Sequence, residues 1–183
     1  MFTDKQVTQD DVSTILHAAN QAPSAHNQQS WRFVVLRDEK KSELVNLITA
    51  NSSRFPRPTS ALLRMAARSI VSAPLVIAVI NTGELIQRGP ELFEVDKNSA
   101  RDFFRIMEIQ SSAAAVENML IAATSIGLSS VWLGILIMIQ EEVLEFLENP
   151  GGEFMAVVPV GYALKISSGP KKRPLEATIK DLK

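Results

Sequence analysis

Cysteine is absent from the 183 residues, which excludes disulfides, a thiolate nucleophile and every cysteine-ligated metal. Histidine is nearly as scarce. His17 and His26 form neither an H-E-x-x-H nor an H-x-H pattern, so no zinc or iron site is expected. The formal net charge is only -1, from 19 basic and 20 acidic side chains spread along the chain, and no global field draws it to nucleic acid or anionic lipid. Long apolar runs are missing as well: residues 131–139, broken by Gly134, reach about half of the roughly 20 needed to span a bilayer and read as core. No membrane association is expected. The chain also lacks a charged start followed by an apolar segment, so a cytoplasmic location is the default expectation. Neither G-x-S-x-G nor G-x-x-x-x-G-K-[ST] occurs, which removes the usual hydrolase elbow and P-loop. Glu141, Glu142, Glu145 and Glu148 have helical spacing and read as a solvated face. No protein acid or nucleophile stands out.

What is present is a chain 46% hydrophobic, suited to a single domain over residues 1–183 that buries roughly 70% of its unfolded surface. Helical and strand patterns alternate. Thr8 with Asp11 forms a capping-box pattern ahead of Val12, Ile15, Leu16 and Ala19, which predicts a helix to about Asn20. Residues 31–37 read as a buried strand, 39–50 and 60–72 as helices, and the almost uninterrupted β-branched run 74–81 as a central strand. Residues 83–98 show little period and read as a loop. From 99 to 126 runs the longest helical pattern, with small residues in its middle and Gly127 as its stop. A strand is expected at Val131–Leu133, an acidic amphipathic helix at 140–147 and a strand at 153–162.

The densest polar segment is A-P-S-A-H-N-Q-Q-S-W, residues 22–31, which leads straight into the strand W-R-F-V-V-L. A proline, two small residues and four hydrogen-bonding side chains beside a rigid strand suit a loop that holds a flat polar ligand, although an ordinary helix-to-strand turn satisfies the same residues. The segment resembles the A-P-S-x-x-N-x-Q-P-W signature of the nitroreductase family, departing at Ser30, where proline is usual. Further likenesses follow in order. N-M-L-I-A-A with Gly127 and Leu128 resembles the end of the family's central helix, V-W-L-G its glycine segment, V-V-P-V-G-Y its penultimate strand and K-K-R-P its basic tail.

The resemblance implies an α+β nitroreductase-like fold, a mostly antiparallel central sheet flanked by helices with a long central dimerisation helix. It further implies a homodimer carrying FMN, with NAD(P)H as transient electron donor and a nitroaromatic, quinone or related small molecule as acceptor in a ping-pong reaction. A flavin-binding protein with weak turnover, or dehalogenation, dehydrogenation or flavin cleavage on the same fold, is the alternative. By the same likeness Ser24, Asn27 and Gln29 hold the isoalloxazine or ribityl chain, Pro23 and Ala25 shape the loop, the backbone at Leu133 and Gly134 lies near flavin N5, and Lys171 with Arg173 binds the phosphate. His26 is a candidate pocket wall, and Trp31 belongs to the core rather than the flavin stack. The family's usual R-R-S-x-R-x-F opening has no counterpart, since the sequence starts M-F-T-D-K with Phe2 where that motif ends. Either the protein is naturally short, or its start has been lost, or FMN is held by fewer contacts; where those arginine contacts are missing, a larger share of phosphate binding is expected of the tail.

Overall fold

The computed structural model describes residues 1–93, 96–165 and 169–182. Its helices are α1 (Gln9–Asn20), α2 (Asp38–Ser52), α3 (Arg57–Ser72), α4 (Glu84–Leu92), α5 (Lys97–Ser125) and α6 (Gln140–Phe146). The strands are β1 (Trp31–Leu36), β2 (Leu75–Asn81), β3 (Ser129–Ser130) and β4 (Glu153–Gly161). Among the described residues they form one four-stranded sheet in the order β1-β2-β4-β3, with every neighbouring pair antiparallel. This is the α+β arrangement with a long central helix that the sequence predicts.

The sheet is organised by β2, whose seven residues are all buried. Because successive side chains point to opposite faces, Val76, Ala78 and Ile80 enter a core with α2, α3 and α6, while Leu75, Ile77 and Val79 enter another with α1 and α5. A nearly continuous apolar run rich in β-branched residues is what such two-sided burial requires. In β4 the register slips opposite Val79 and Ile80, so that Ala156 pairs with Val79 and Phe154 with Ile80. The extra residue, Met155, reverses the alternation. Phe154 thereby joins the first core and Ala156 the second. The carbonyl of Met155 accepts the Trp132 indole N–H at 3.3 Å.

Local signals set several element ends. The Thr8 hydroxyl accepts the Asp11 N–H at 3.1 Å and the Asp11 carboxylate accepts the Thr8 N–H at 3.3 Å, closing the predicted capping box. Two expectations fail. The strand expected at Val131–Leu133 is reduced to a single bridge from Leu133 to Val157, with the ladder itself at Ser129 and Ser130. Within the expected loop 83–98, residues Glu84–Leu92 are helical despite Gly89 and Pro90. Tertiary packing overrides propensity here: Leu85 and Ile86 sit with Ala100 and Phe104 of α5, and a Cβ on Gly89 would lie 2.5 Å from the Phe104 ring.

That approach yields a prediction. An alanine inside a helix is ordinarily about 1 kcal/mol better than glycine, but overpacking against a buried ring costs typically 1–3 kcal/mol. Gly89→Ala should therefore destabilise the protein in urea denaturation. A gain in stability would mean that α4 stands further from α5 than described.

Candidate functional site

The loop between α1 and β1 is a strained, cross-braced unit. His26, Asn27 and Gln29 all take positive φ, 52°, 51° and 53°, each costing of order 1–2 kcal/mol for a residue with a Cβ. Hydrogen bonds hold it there. The Ser24 hydroxyl accepts the Gln29 N–H at 3.0 Å, and the Gln29 amide donates to Asn27 Oδ1 at 3.1 Å. Ala25 N–H reaches Ser111 Oγ of α5 at 3.0 Å, and Gln28 Nε2 reaches Glu84 of α4 at 3.1 Å. Ser24 and Ala25 are thus tied into the scaffold, whereas Pro23, Asn27 and Gln29 are exposed. Trp31 is buried, with its indole N–H on Asn20 Oδ1 at 3.1 Å, a core residue as the sequence predicts. The exposed His26 ring packs against Phe93 in a tilted contact, at 59° with centroids 4.7 Å apart.

Behind the loop is a buried polar corner. Ser30, Asn81 and Glu108 are each no more than 1% exposed. Glu108 Oε1 accepts the Leu85 N–H at 2.7 Å, near the N-terminus of α4, a favourable place for a carboxylate. Burial pushes the Glu108 carboxyl above its ordinary range, against the pull of the Leu85 N–H, the Ser30 hydroxyl and the Ile86 N–H, and Glu153 adds to the rise. Glu153 is itself paired with Arg105, and α4 carries the charged Glu84 next to Leu85.

The glycine segment lies elsewhere. Leu133 exchanges hydrogen bonds with Val157, Val157 faces Ala78, and Ala78 faces Val34. Three inter-strand steps of about 4.8 Å place Leu133 roughly 14 Å from β1, and the loop lies three residues further along that strand. Within one chain the two predicted halves of the site are therefore on opposite edges of the sheet. Gly134 has ordinary helical angles, φ -86° and ψ -15°, and a Cβ there would meet nothing nearer than the Trp132 ring nitrogen at 3.8 Å. No turn or internal contact requires glycine at this position. The space in front of it is a cavity of about 380 Å³ lined by Leu62, Met65 and Ser69 of α3 together with residues 131–135.

The role of α3 has no counterpart in the sequence reading. Its inward face is Leu63, Ala66, Ala67 and Ile70, yet Leu62, Met65 and Val71 are 49%, 61% and 58% exposed. Apolar side chains on the wrong side of an otherwise amphipathic helix were the available signal. Arg64 and Arg68 line a separate cavity of about 470 Å³ with Met1 and with Val45 and Thr49 of α2. Lys171, Lys172 and Arg173 of the tail are exposed and have no ion pair or side-chain hydrogen bond among the described residues. The structure thus brings Asn27 and Gln29 together, and Leu133 with Gly134, but joins neither pair to the tail.

The profile of the nitroreductase family matches residues 1–162. The chain belongs to the nitroreductase family. An Archaeoglobus fulgidus protein named as a candidate NADH dehydrogenase/NAD(P)H nitroreductase is 27% identical over 135 residues, covering 74% of this chain and 60% of its own length. The chain thus spans about three-fifths of that relative. A candidate nitroreductase from Desulfovibrio desulfuricans, solved in complex with FMN, is 26% identical with a TM-score of 0.72, covering 100% of this chain and 89% of that one. A BluB-like flavoprotein from Clostridium difficile shares the fold at a TM-score of 0.79 and 22% identity, covering 100% and 93%. Among the described residues no helix is long and apolar enough to cross a membrane, and no cluster of three or more His, Cys, Asp or Glu has metal-site geometry.

The nitroreductase scaffold keeps Glu108 buried, and its titration gives a signed prediction. A carboxyl whose pKa is raised on folding adds stability below its unfolded value, and that contribution is lost as pH rises through the native one. Glu108→Gln cannot ionise, so its stability relative to the unsubstituted protein should improve as pH rises above the ordinary carboxylate range. Chemical denaturation at several pH values measures this. A difference that stays flat with pH would contradict the buried carboxylate.

Proposed function

We propose that the protein is an FMN-dependent oxidoreductase that passes electrons from NAD(P)H to nitroaromatic, quinone or related small-molecule acceptors in ping-pong order. The observation that carries this reading is the cavity over Gly134, where a glycine that no internal contact requires leaves backbone open to a flat ring. Family membership and the FMN complex of the Desulfovibrio relative support it. FMN, when bound, supplies the hydride-accepting and hydride-donating chemistry, which is why no protein acid or nucleophile is needed. The chain's residues bind and orient. Asn27 and Gln29 offer the ring or ribityl chain the Asn27 Nδ2 and Gln29 Oε1 that their mutual hydrogen bond leaves over, Leu133 and Gly134 present backbone to its reactive edge, and α3 walls the cavity against water. Lys171 and Arg173 hold the phosphate through charge-assisted bonds.

Since loop and glycine segment lie on opposite edges of one sheet, a ring touching both takes them from two copies. We propose a homodimer with two such sites. Phe103, Ile106 and Ile121 line α5 at 53%, 48% and 58% exposure, and Leu175, Ile179 and Leu182 of the tail are exposed beyond the basic segment. Both are surfaces a second subunit would cover. Ile121→Arg should then give a folded monomer by light scattering and circular dichroism. An unchanged mass would remove this face from the interface.

FMN titration tests the cofactor. The protein should shift the flavin spectrum and gain about 2.7 kcal/mol of stability at a hundredfold excess over Kd. A phosphate clamp of one arginine is worth about 1.5–3 kcal/mol, so Arg173→Ala should weaken FMN by roughly 10- to 150-fold and riboflavin far less. Equal losses for both flavins, or none, would make the basic tail ordinary solvated surface. NAD(P)H oxidation with a quinone separates an enzyme from a flavin-binding protein without turnover.

A further inference from the structure

Six buried side-chain atoms lack a hydrogen-bond partner among the described residues, and five of them belong to one corner of the sheet: Ser30 Oγ, Asn81 Nδ2, Thr82 Oγ1, Glu108 Oε2 and Glu153 Oε2. The strands place them together. Asn81 faces Trp31 across β1 and Glu153 across β4, Thr82 N–H donates to the Ser30 carbonyl at 3.0 Å, and Asn81 Oδ1 accepts from Ser112, one turn after Glu108 on α5. Unpaired buried polar atoms are rare and costly. Here they are complementary, because two hydroxyls and an amide are donors while two carboxylate oxygens are acceptors. Direct pairing after small rotations, together with internal water, is the way such a set is ordinarily satisfied. A cation is not needed, since Arg105 already pairs with Glu153 and three neutral donors remain.

Ser30 is the residue at which this chain leaves the family's loop pattern. Proline there has no hydroxyl, and the buried carboxylate beside it would lose a donor. The Ser30 hydroxyl lies near enough to influence the Glu108 carboxyl, whose other oxygen holds the first turn of α4. Ser111, which holds Ala25, follows on the same helix three residues later. One face of α5 therefore holds the start of the strained loop at Ala25 and the start of the helix beside it at Leu85.

We propose that Glu108, acting through Ser30, is the positioning residue of the flavin loop, fixing residues 24–30 against α4 and α5 in the conformation that presents Asn27 and Gln29. This rests on the flavin reading for its purpose, but not for its mechanics. A residue that only stabilised the whole fold would loosen everything alike, whereas a latch loosens the loop first.

Amide hydrogen exchange of the protein without added flavin is the deciding measurement. Ser30→Ala and Glu108→Gln should each speed exchange at Ala25, Gln28, Gln29 and Trp31 by about tenfold while amides of Leu75–Asn81 change far less. The double variant should also show about tenfold rather than a hundredfold, because partners in one interaction are not additive. Ser30→Thr, which keeps the hydroxyl, should restore protection. Loop rates that do not move, or that rise only in step with β2, overturn the latch, as do effects that multiply. FMN affinity is read on the same variants and should fall with loop protection. If the unsubstituted protein binds no FMN, the flavin reading fails while the exchange result still decides the latch.

Discussion

Everything in this molecule is hung on β2, a strand buried on both faces. Its alternation sends Val76, Ala78 and Ile80 to one core and Leu75, Ile77 and Val79 to the other, so the strand welds two helical layers that otherwise share little. Its truncation is correspondingly expensive, since replacing one buried isoleucine by alanine typically costs 2–5 kcal/mol. The same strand fixes the geography of function. β1 hangs on one edge of it and brings the signature loop. β4 hangs on the other and brings the glycine segment with β3.

Where β2 ends, apolar burial gives way to polar burial. Asn81, Ser30 and Glu108 are as inaccessible as the core isoleucines, and that is affordable only because donors and acceptors occur together there. The loop they support is held in three unfavourable backbone conformations. Strain of this kind persists when the surroundings over-determine it, and here they do so through bonds to α4, α5 and the start of β1. Rigidity of the loop, spacing across the sheet and the open glycine at the far edge are what the proposed two-part site is built from.

The elements readable in the sequence were those whose local pattern and tertiary role agree. The capping box at Thr8 and Asp11, the β-branched run of β2 and the small-residue helix α5 all belong to that class. α4 was not readable, because Gly89 and Pro90 signal a break that contact with Phe104 reverses. Nor was the strand expected at Val131–Leu133, where the Trp132 indole bonds the bulged Met155 carbonyl and only a bridge remains. Of the site, the loop and glycine segment stood out by composition and by resemblance. Glu108 did not, since a lone carboxylate in a helix reads as solvated, and only the fold shows that it is buried. The wall formed by Leu62, Met65 and Ser69 was hidden for a similar reason: its members are ordinary helix residues until residues 131–135 are placed against them.

The central claim is that each site is completed by two copies of the chain, and complementation tests it most directly. One variant carries a bulky loop substitution, Asn27→Arg, and the other fills the glycine cavity, Gly134→Val, so neither homodimer retains an intact site. Co-expressed at equal levels and dimerising at random, half of the dimers pair the two variants, each with one wholly unsubstituted site. FMN content should rise from near zero to about one flavin per four chains, the value that random pairing gives. Flavin content that stays near zero in the mixture, with mixed dimers confirmed by mass, would place both halves of the site in a single chain and contradict the account.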